Sequence, residues 1–389
     1  MTSILQGKKM IVDSMRFSMS RPIDKPSSIA LMFWGPPGIG KSQMVGQAAR
    51  ELGIGFKPVI SHLYTPPDIL GYPYLEEAAG HKTMQWAEPG IFPNAGRDGE
   101  RGLFFLDELP NCVPAMMSAW GIIILERTTH MYKFPPGWAI VCAGNNQTDR
   151  AGSSRMLSML ENRLIQVNVK PSLSEFTTYG IETGMHPAIL AYLERFPDKL
   201  IAFDPKSPER GFPSPRSWDR VNEILQMMQV PYEAIEVTKG EVDVSSNSTI
   251  REIYDWIGGA IGGGATIEFM AYLSLWRDMP PLSAILDGSS DITQLADRPD
   301  LYAGVVTSVL VWALQQPDQS KVNTAMNVIV RMMESKKSRE YPMLMMLKLW
   351  QARPHSVLAA PAWKALAGDF MQYTKPSATG APKVPSLRK

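Results

Sequence analysis

The feature that most constrains this chain lies at residues 35–42, where Gly35, Pro36, Pro37, Gly38, Ile39, Gly40, Lys41 and Ser42 follow an apolar run of Ile29, Ala30, Leu31, Met32, Phe33 and Trp34. An apolar strand running into a G-x-x-x-x-G-K-S loop is a phosphate-binding turn. The glycines let backbone N–H groups curl around phosphate oxygens, and the helix that follows aims its positive end at them. In such a loop the lysine places a point charge on the β and γ phosphates and the serine hydroxyl faces Mg²⁺, which assigns those tasks to Lys41 and Ser42. The helix itself is legible, with Met44, Val45, Ala48, Ala49 and Leu52 on one face and Gly53 as its stop.

After the loop the pattern alternates strand and helix for about 140 residues, as in a parallel sheet wrapped by helices. The expected strands cover 29–34, 56–61, 102–106, 138–143 and 164–169. Residues 66–101 are rich in Pro, Gly and charge and read as an inserted hairpin with loops. From 171 the chain reads as mainly helical. Pro187 opens one amphipathic stretch (Ile189, Leu190, Tyr192, Leu193) and Arg216 opens another (Val221, Ile224, Leu225, Met228). Further helical segments follow, with Gly258-Gly259, Gly262-Gly263-Gly264 and Pro280-Pro281 as breaks. The expected domains are an α/β core over 1–170 with an insert at about 66–101, a helical lid over 171–230, a helical extension over 231–373, and a flexible basic tail over 374–389.

Composition excludes several classes. Lys+Arg 39 against Asp+Glu 38 gives a net charge of +1, so no global field draws the chain to nucleic acid or anionic lipid. The two cysteines, Cys112 and Cys142, have no disulfide-framework or metal-ligand spacing and read as reduced thiols of a cytosolic protein. Five histidines make no pair at metal-binding spacing. The N-terminus carries no apolar signal segment. The most membrane-like stretch, 301–314, is interrupted by Gly304, Thr307 and Ser308, is too short to span a bilayer and reads as a core helix.

Residues 102–108 read Gly-Leu-Phe-Phe-Leu-Asp-Glu, an apolar strand ending in two acids. Beside a phosphate loop, Asp107 belongs to the Mg²⁺ shell and Glu108 polarises the attacking water. The apolar strand at 138–143 runs into Gly144-Asn145-Asn146, which brings an amide to the ligand edge of an open parallel sheet; either asparagine fits the spacing.

With these residues in view, the chain resembles an AAA+ ATPase of the MoxR-like group. The likeness rests on the loop and acidic strand above, on Ala143-Gly144-Asn145-Asn146-Gln147-Thr148-Asp149-Arg150-Ala151-Gly152 followed by Leu160-Glu161-Asn162-Arg163, and on Pro213-Ser214-Pro215-Arg216-Ser217-Trp218. It covers roughly residues 28–220. It implies the fold class: an α/β P-loop NTPase AAA+ core with a parallel five-stranded sheet, followed by a helical lid and a mainly helical C-terminal extension. By the same resemblance Asn145 is sensor 1, Arg163 is the arginine finger reaching a neighbouring subunit, and Arg216 is sensor 2. Arg150 and Arg155 are rival fingers in the same segment. The plain reading of Arg163 is a helix-end arginine or a surface ion pair. The likeness also places a helix 2 insert in 66–101 and a pre-sensor 1 hairpin, lining a central pore, in 127–137.

The function expected is Mg-ATP hydrolysis by a homo-oligomeric ring, a hexamer by resemblance, that remodels a protein client in the cytoplasm. ATP and Mg²⁺ are the cofactors. The usual partner of the family carries a von Willebrand A domain; Asp243-Val-Ser245-Ser-Asn247 and Asp287-Gly-Ser289-Ser-Asp291 begin like the metal-adhesion loop of such a domain and do not complete it, so that partner is another chain. The alternatives are a nucleic-acid motor or loader and a scaffold that binds ATP without turnover. Arg127, His130, Tyr132 and Lys133 are hairpin residues that either touch a threaded strand or form a solvated loop. Methionine is abundant, 24 of 389, and its clusters suit core filling, with an adaptable binding surface as the second use.

Overall fold

The computed structural model describes residues 2–22, 29–78, 81–130, 132–146, 156–204, 206, 209–238, 241–244, 247–315, 317–335 and 337–374. Arg150, Arg155, the 147–152 part of the asparagine motif, Ser245 and the tail beyond Thr374 lie outside the described residues. The chain divides into two compact units: Met1–Ser172 with Asp204–Lys206, and Leu173–Phe203 with Ser207–Lys389.

The first unit is built on five parallel strands, β1 (Leu31–Trp34), β2 (Gly55–Ile60), β5 (Gly102–Asp107), β6 (Trp138–Gly144) and β7 (Ile165–Asn168), in the order β2-β5-β6-β1-β7. A separate antiparallel hairpin, β3 (Tyr72–Ala78) and β4 (His81–Ala87), occupies the insert. The helices are α1 (Ile4–Met19), α2 (Lys41–Leu52), the short α3 (Pro66–Leu70) and α4 (Ala95–Asp98), α5 (Pro114–Glu126) and α6 (Ser158–Glu161). β1, β5 and β6 are nearly continuous apolar runs because both faces of the sheet are covered. α1 has no counterpart among the sequence expectations. Ser3 and Gln6 start it with a reciprocal capping box, and its Gly7 comes so close to Met44 of α2 that an added Cβ would lie 2.7 Å from the sulfur.

The 127–137 segment is less solvated than a charged loop suggests. Tyr132 is buried, stacks on Phe92 with centroids 4.8 Å apart and donates its hydroxyl to Pro93 O. Arg127 holds the left-handed conformation at the end of α5, spreads its guanidinium over Phe134 at 4.8 Å, and donates to the Pro135 and Trp138 carbonyls. These two residues hold the segment in shape. His130 stacks on Trp86 of β4 and Lys133 is exposed.

The second unit is helical: α7 (Leu173–Thr183), α8 (Pro187–Arg195), α9 (Pro215–Met228), α10 (Ser248–Ile261), α11 (Gly263–Leu273), α12 (Leu282–Asp287), α13 (Pro299–Leu314), α14 (Gln319–Glu334), α15 (Glu340–Ala352), α16 (Pro354–Ala359) and α17 (Trp363–Thr374), with a small hairpin, β8 (Val237–Thr238) and β9 (Glu241–Val242), between α9 and α10. α13 is buried almost all round and sits in one hydrophobic cluster that runs from Phe176 to Phe370. Among the described residues no helix is long and apolar enough to cross a membrane. Gly258-Gly259 does not break a helix as the sequence suggested: α10 runs through it and stops at Gly262. The glycine that close backbone packing requires here is Gly211, which lies against this stretch of α10. A Cβ on Gly211 would stand 3.0 Å from the carbonyl oxygens of both Gly258 and Gly259.

Most of the methionine clusters are core, including Met116, Met117, Met332, Met343, Met345 and Met346, whereas Met227 is 60% exposed. The two adhesion-like segments are local turns where they are described. Asp287 accepts from the Ser289 N–H, which with the Ser289 hydroxyl holds its carboxyl below the usual range, and Asp291 caps Thr293.

Candidate nucleotide site

Register brings the site together. β1 lies between β6 and β7, with Trp34 opposite Gly144 and Asn168, so the loop that leaves β1 emerges beside the tip of β6. β5 pairs with β6 from Gly102 opposite Trp138 to Leu106 opposite Cys142, which sets Asp107 one residue on at the same edge. Ligands of open parallel sheets bind at this carboxyl edge, where connections leave in opposite directions.

Gly38 and Gly40 hold φ values of 80° and 96°, a conformation costly for any residue with a Cβ, and Gly40 is the N-cap of α2. Lys41 therefore starts the helix with its side chain turned back into the loop. The residue is 8% exposed, and its ammonium donates to Gly35 O at 2.7 Å, Pro36 O at 2.9 Å and Asn145 Oδ1 at 2.9 Å. Ser42 Oγ donates to Asp107 Oδ2 at 2.5 Å. Four sequence-expected residues on three separate segments thus meet at one edge, and Asn145 is the asparagine that faces the lysine. Gly144 permits the approach, since a Cβ there would stand 2.4 Å from Pro110 of the turn that follows Glu108.

Glu108 takes a left-handed backbone, φ 55°, with its N–H donating to Asp107 Oδ1 at 3.0 Å. Its Oε2 lies 3.1 Å from His62 Nδ1 and accepts from Asn111 Nδ2 at 3.3 Å. His62 is a site residue that the sequence reading passed over. The signal that reveals it is pairing: Ile60 is opposite Asp107, so the residues just beyond each strand are neighbours. The loop carrying His62 is pinned from below by Trp120, fully buried on α5, whose indole N–H donates to Ser61 O at 3.0 Å.

The hard oxygen donors Ser42 Oγ and Asp107 Oδ2 suit Mg²⁺, which retains water ligands and needs few protein groups. Among the described residues no group of three or more His, Cys, Asp or Glu is placed to hold a metal.

Arg163 is not brought to this edge. It precedes β7, whose Ile165 is opposite Leu31, and so lies at the end of the sheet away from the loop that leaves Trp34. It is 57% exposed, and its 3.9 Å approach to Glu126 is a solvent-screened pair of little energy. Arg216 belongs to the second unit, exposed in the first turn of α9, which Ser214 and Ser217 start with a capping box.

A parallel α/β core with a lysine loop after a central strand and an acidic strand tip beside it defines the P-loop fold class. Solved structures that resemble the chain include the Holliday junction branch migration motor RuvB of Thermotoga maritima, at 14% identity over 75% of this chain and 80% of that chain with a TM-score of 0.34. PCH-2 of C. elegans is similar at 13% identity over 69% and 68% with a TM-score of 0.32, and a candidate ATPase from Cytophaga hutchinsonii at 9% identity over 94% and 87% with a TM-score of 0.30. Such distant likeness does not extend to activity. No protein-family model matches the chain, and no curated protein matches it in sequence.

Proposed function

We propose that this chain is an Mg-ATP-hydrolysing AAA+ ATPase of the MoxR-like kind, assembled as a ring and acting on a protein partner. The observation that carries the reading is the convergence of Lys41, Ser42, Asp107 and Asn145 at one sheet edge, with Glu108 a residue beyond. Lys41 supplies charge to the β and γ phosphates, and the N–H groups of the loop and the first turn of α2 hold phosphate oxygens. Ser42 and Asp107 are the residues that would hold Mg²⁺; when bound, Mg²⁺ neutralises charge on the same phosphates. Asn145 orients water near the γ phosphate. Glu108 accepts a proton as the water oxygen bonds to the γ phosphorus and the bond to the bridging oxygen of ADP breaks. The ring and the client follow from the resemblance, and the near-neutral charge favours a protein client over a nucleic-acid strand.

The deciding experiment is Glu108→Gln. Binding of ATP should stay within about threefold while turnover falls by roughly 10²- to 10⁴-fold, the usual worth of a general base. Unchanged turnover would make the chain something other than this ATPase.

His62 is read as a positioning residue for Glu108. His62→Ala should leave nucleotide affinity unaltered and lower kcat by roughly 10- to 100-fold, since small misplacements of a reacting group cost that much. His62→Asn, which keeps a donor, should recover part of the loss. A kcat that rises in His62→Ala would reverse the assignment.

A further inference from the structure

Between α9 and α10 of the second unit lies an open groove with a volume of about 660 Å³. Its apolar lining includes Ile224, Met227 and Trp256, the last two 60% and 52% exposed. A half-exposed indole stands beside an exposed methionine on a helix pair whose Trp218, Val221, Ile253 and Ile257 are buried, and both are side chains that serve at adaptable binding surfaces. The rim is acidic. Glu223 on α9 and Glu252 and Asp255 on α10 face one cation, Arg220, and none of the four makes an ion pair among the described residues. Burial first, and the Glu223 carboxylate second, also push the carboxyl of Asp219 on α9 up to about 6.

An apolar floor with three unspent carboxylates at its rim is complementary to a chain segment that brings one aliphatic side chain between cations. A small-molecule ligand would be poorly enclosed, because Met227 and Trp256, the largest apolar side chains of the lining, remain at least half in water. We propose that the α9–α10 groove docks a basic peptide segment, with an aliphatic anchor flanked by Lys or Arg, supplied by a partner protein. This inference does not depend on nucleotide chemistry, and its test is run without nucleotide, so it can fail while the ATPase reading stands.

The test is fluorescence anisotropy of a labelled hexapeptide, Arg-Lys-Leu-Met-Lys-Arg, titrated with the full chain. Saturable binding is expected, weakened at least about tenfold by Glu252→Lys combined with Asp255→Lys, and weakened similarly when Leu-Met in the peptide is replaced by Ser-Ser. Both substituted residues are exposed, and circular dichroism checks that the variant is folded. Three outcomes overturn the proposal: no saturation at millimolar protein, equal binding by the charge-reversed variant, or equal binding of an all-Glu analogue of the peptide. A changed assembly mass in the charge-reversed variant with unchanged peptide binding also overturns it, and gives the groove to a second copy of this chain.

Discussion

Lys41→Ala should remove measurable nucleotide binding and all hydrolysis. The lysine is 8% exposed, and its ammonium is already aimed by Gly35 O, Pro36 O and Asn145 Oδ1. Truncating one partner of a desolvated, hydrogen-bonded charge pair costs about 2–5 kcal/mol, which is roughly 30- to several-thousand-fold in affinity. The substitution also leaves those acceptors without their donor, so a modest fall in thermal stability should accompany the loss. Isothermal titration with ATP measures the first effect and circular dichroism the second. Retention of ATP affinity within a few-fold would refute the phosphate-loop assignment at its centre.

Arg163→Ala should behave in the opposite way, with ATP bound as tightly as before and turnover lowered by roughly 10³- to 10⁵-fold, the worth of an arginine finger. The reasoning is geometric. Arg163 stands at the far end of β7 from its own phosphate loop, so any part it plays in hydrolysis is played at another subunit's nucleotide. Mixing gives a sharper readout. An Arg163→Ala subunit keeps Lys41, and a Lys41→Ala subunit keeps Arg163, so two inactive variants should restore turnover when assembled together. Hydrolysis retained by Arg163→Ala alone would shift the finger to Arg150 or Arg155, and failure of the mixture to recover would separate Arg163 from the active site altogether.

Much of the core was legible because its strands are fully buried and its loop is chemically singular. The five strands lie within two residues of the apolar runs that foretold them, and α2 ends at Gly53 in the left-handed conformation that stops a helix. What stayed hidden had no local signal. α1 has only four buried residues among sixteen, so its amphipathic pattern is weak, and its place is settled by packing of Gly7 on Met44. Gly258-Gly259 looked like a break because isolated glycines weaken helices by local propensity. The helix runs through them because Ile250, Ile253, Ile257 and Ile261, at helical spacing on both sides, are buried along one face of α10. Arg127 and Tyr132 read equally as contacts for a threaded strand or as a solvated loop and instead hold the loop in shape, since nothing in a short charged segment announces that Phe92 and Phe134 will lie beneath it.

The sequence by itself determined that this chain has a phosphate loop on a parallel α/β core, that a carboxylate pair ends another apolar strand, and that the part beyond the core is mainly helical. Those are statements about contiguous residues, where spacing and hydrophobic period carry the information. Tertiary structure alone decided that Asn145 is the asparagine that meets Lys41, that His62 stands beside Glu108, that Arg163 is remote from its own loop, and that Met227 and Trp256 line a groove instead of a core. Each of these depends on the register between strands or the packing of helices distant in sequence, and a one-residue slip in register would exchange the faces that Asn145 and Asn146 present without altering the sequence pattern at all.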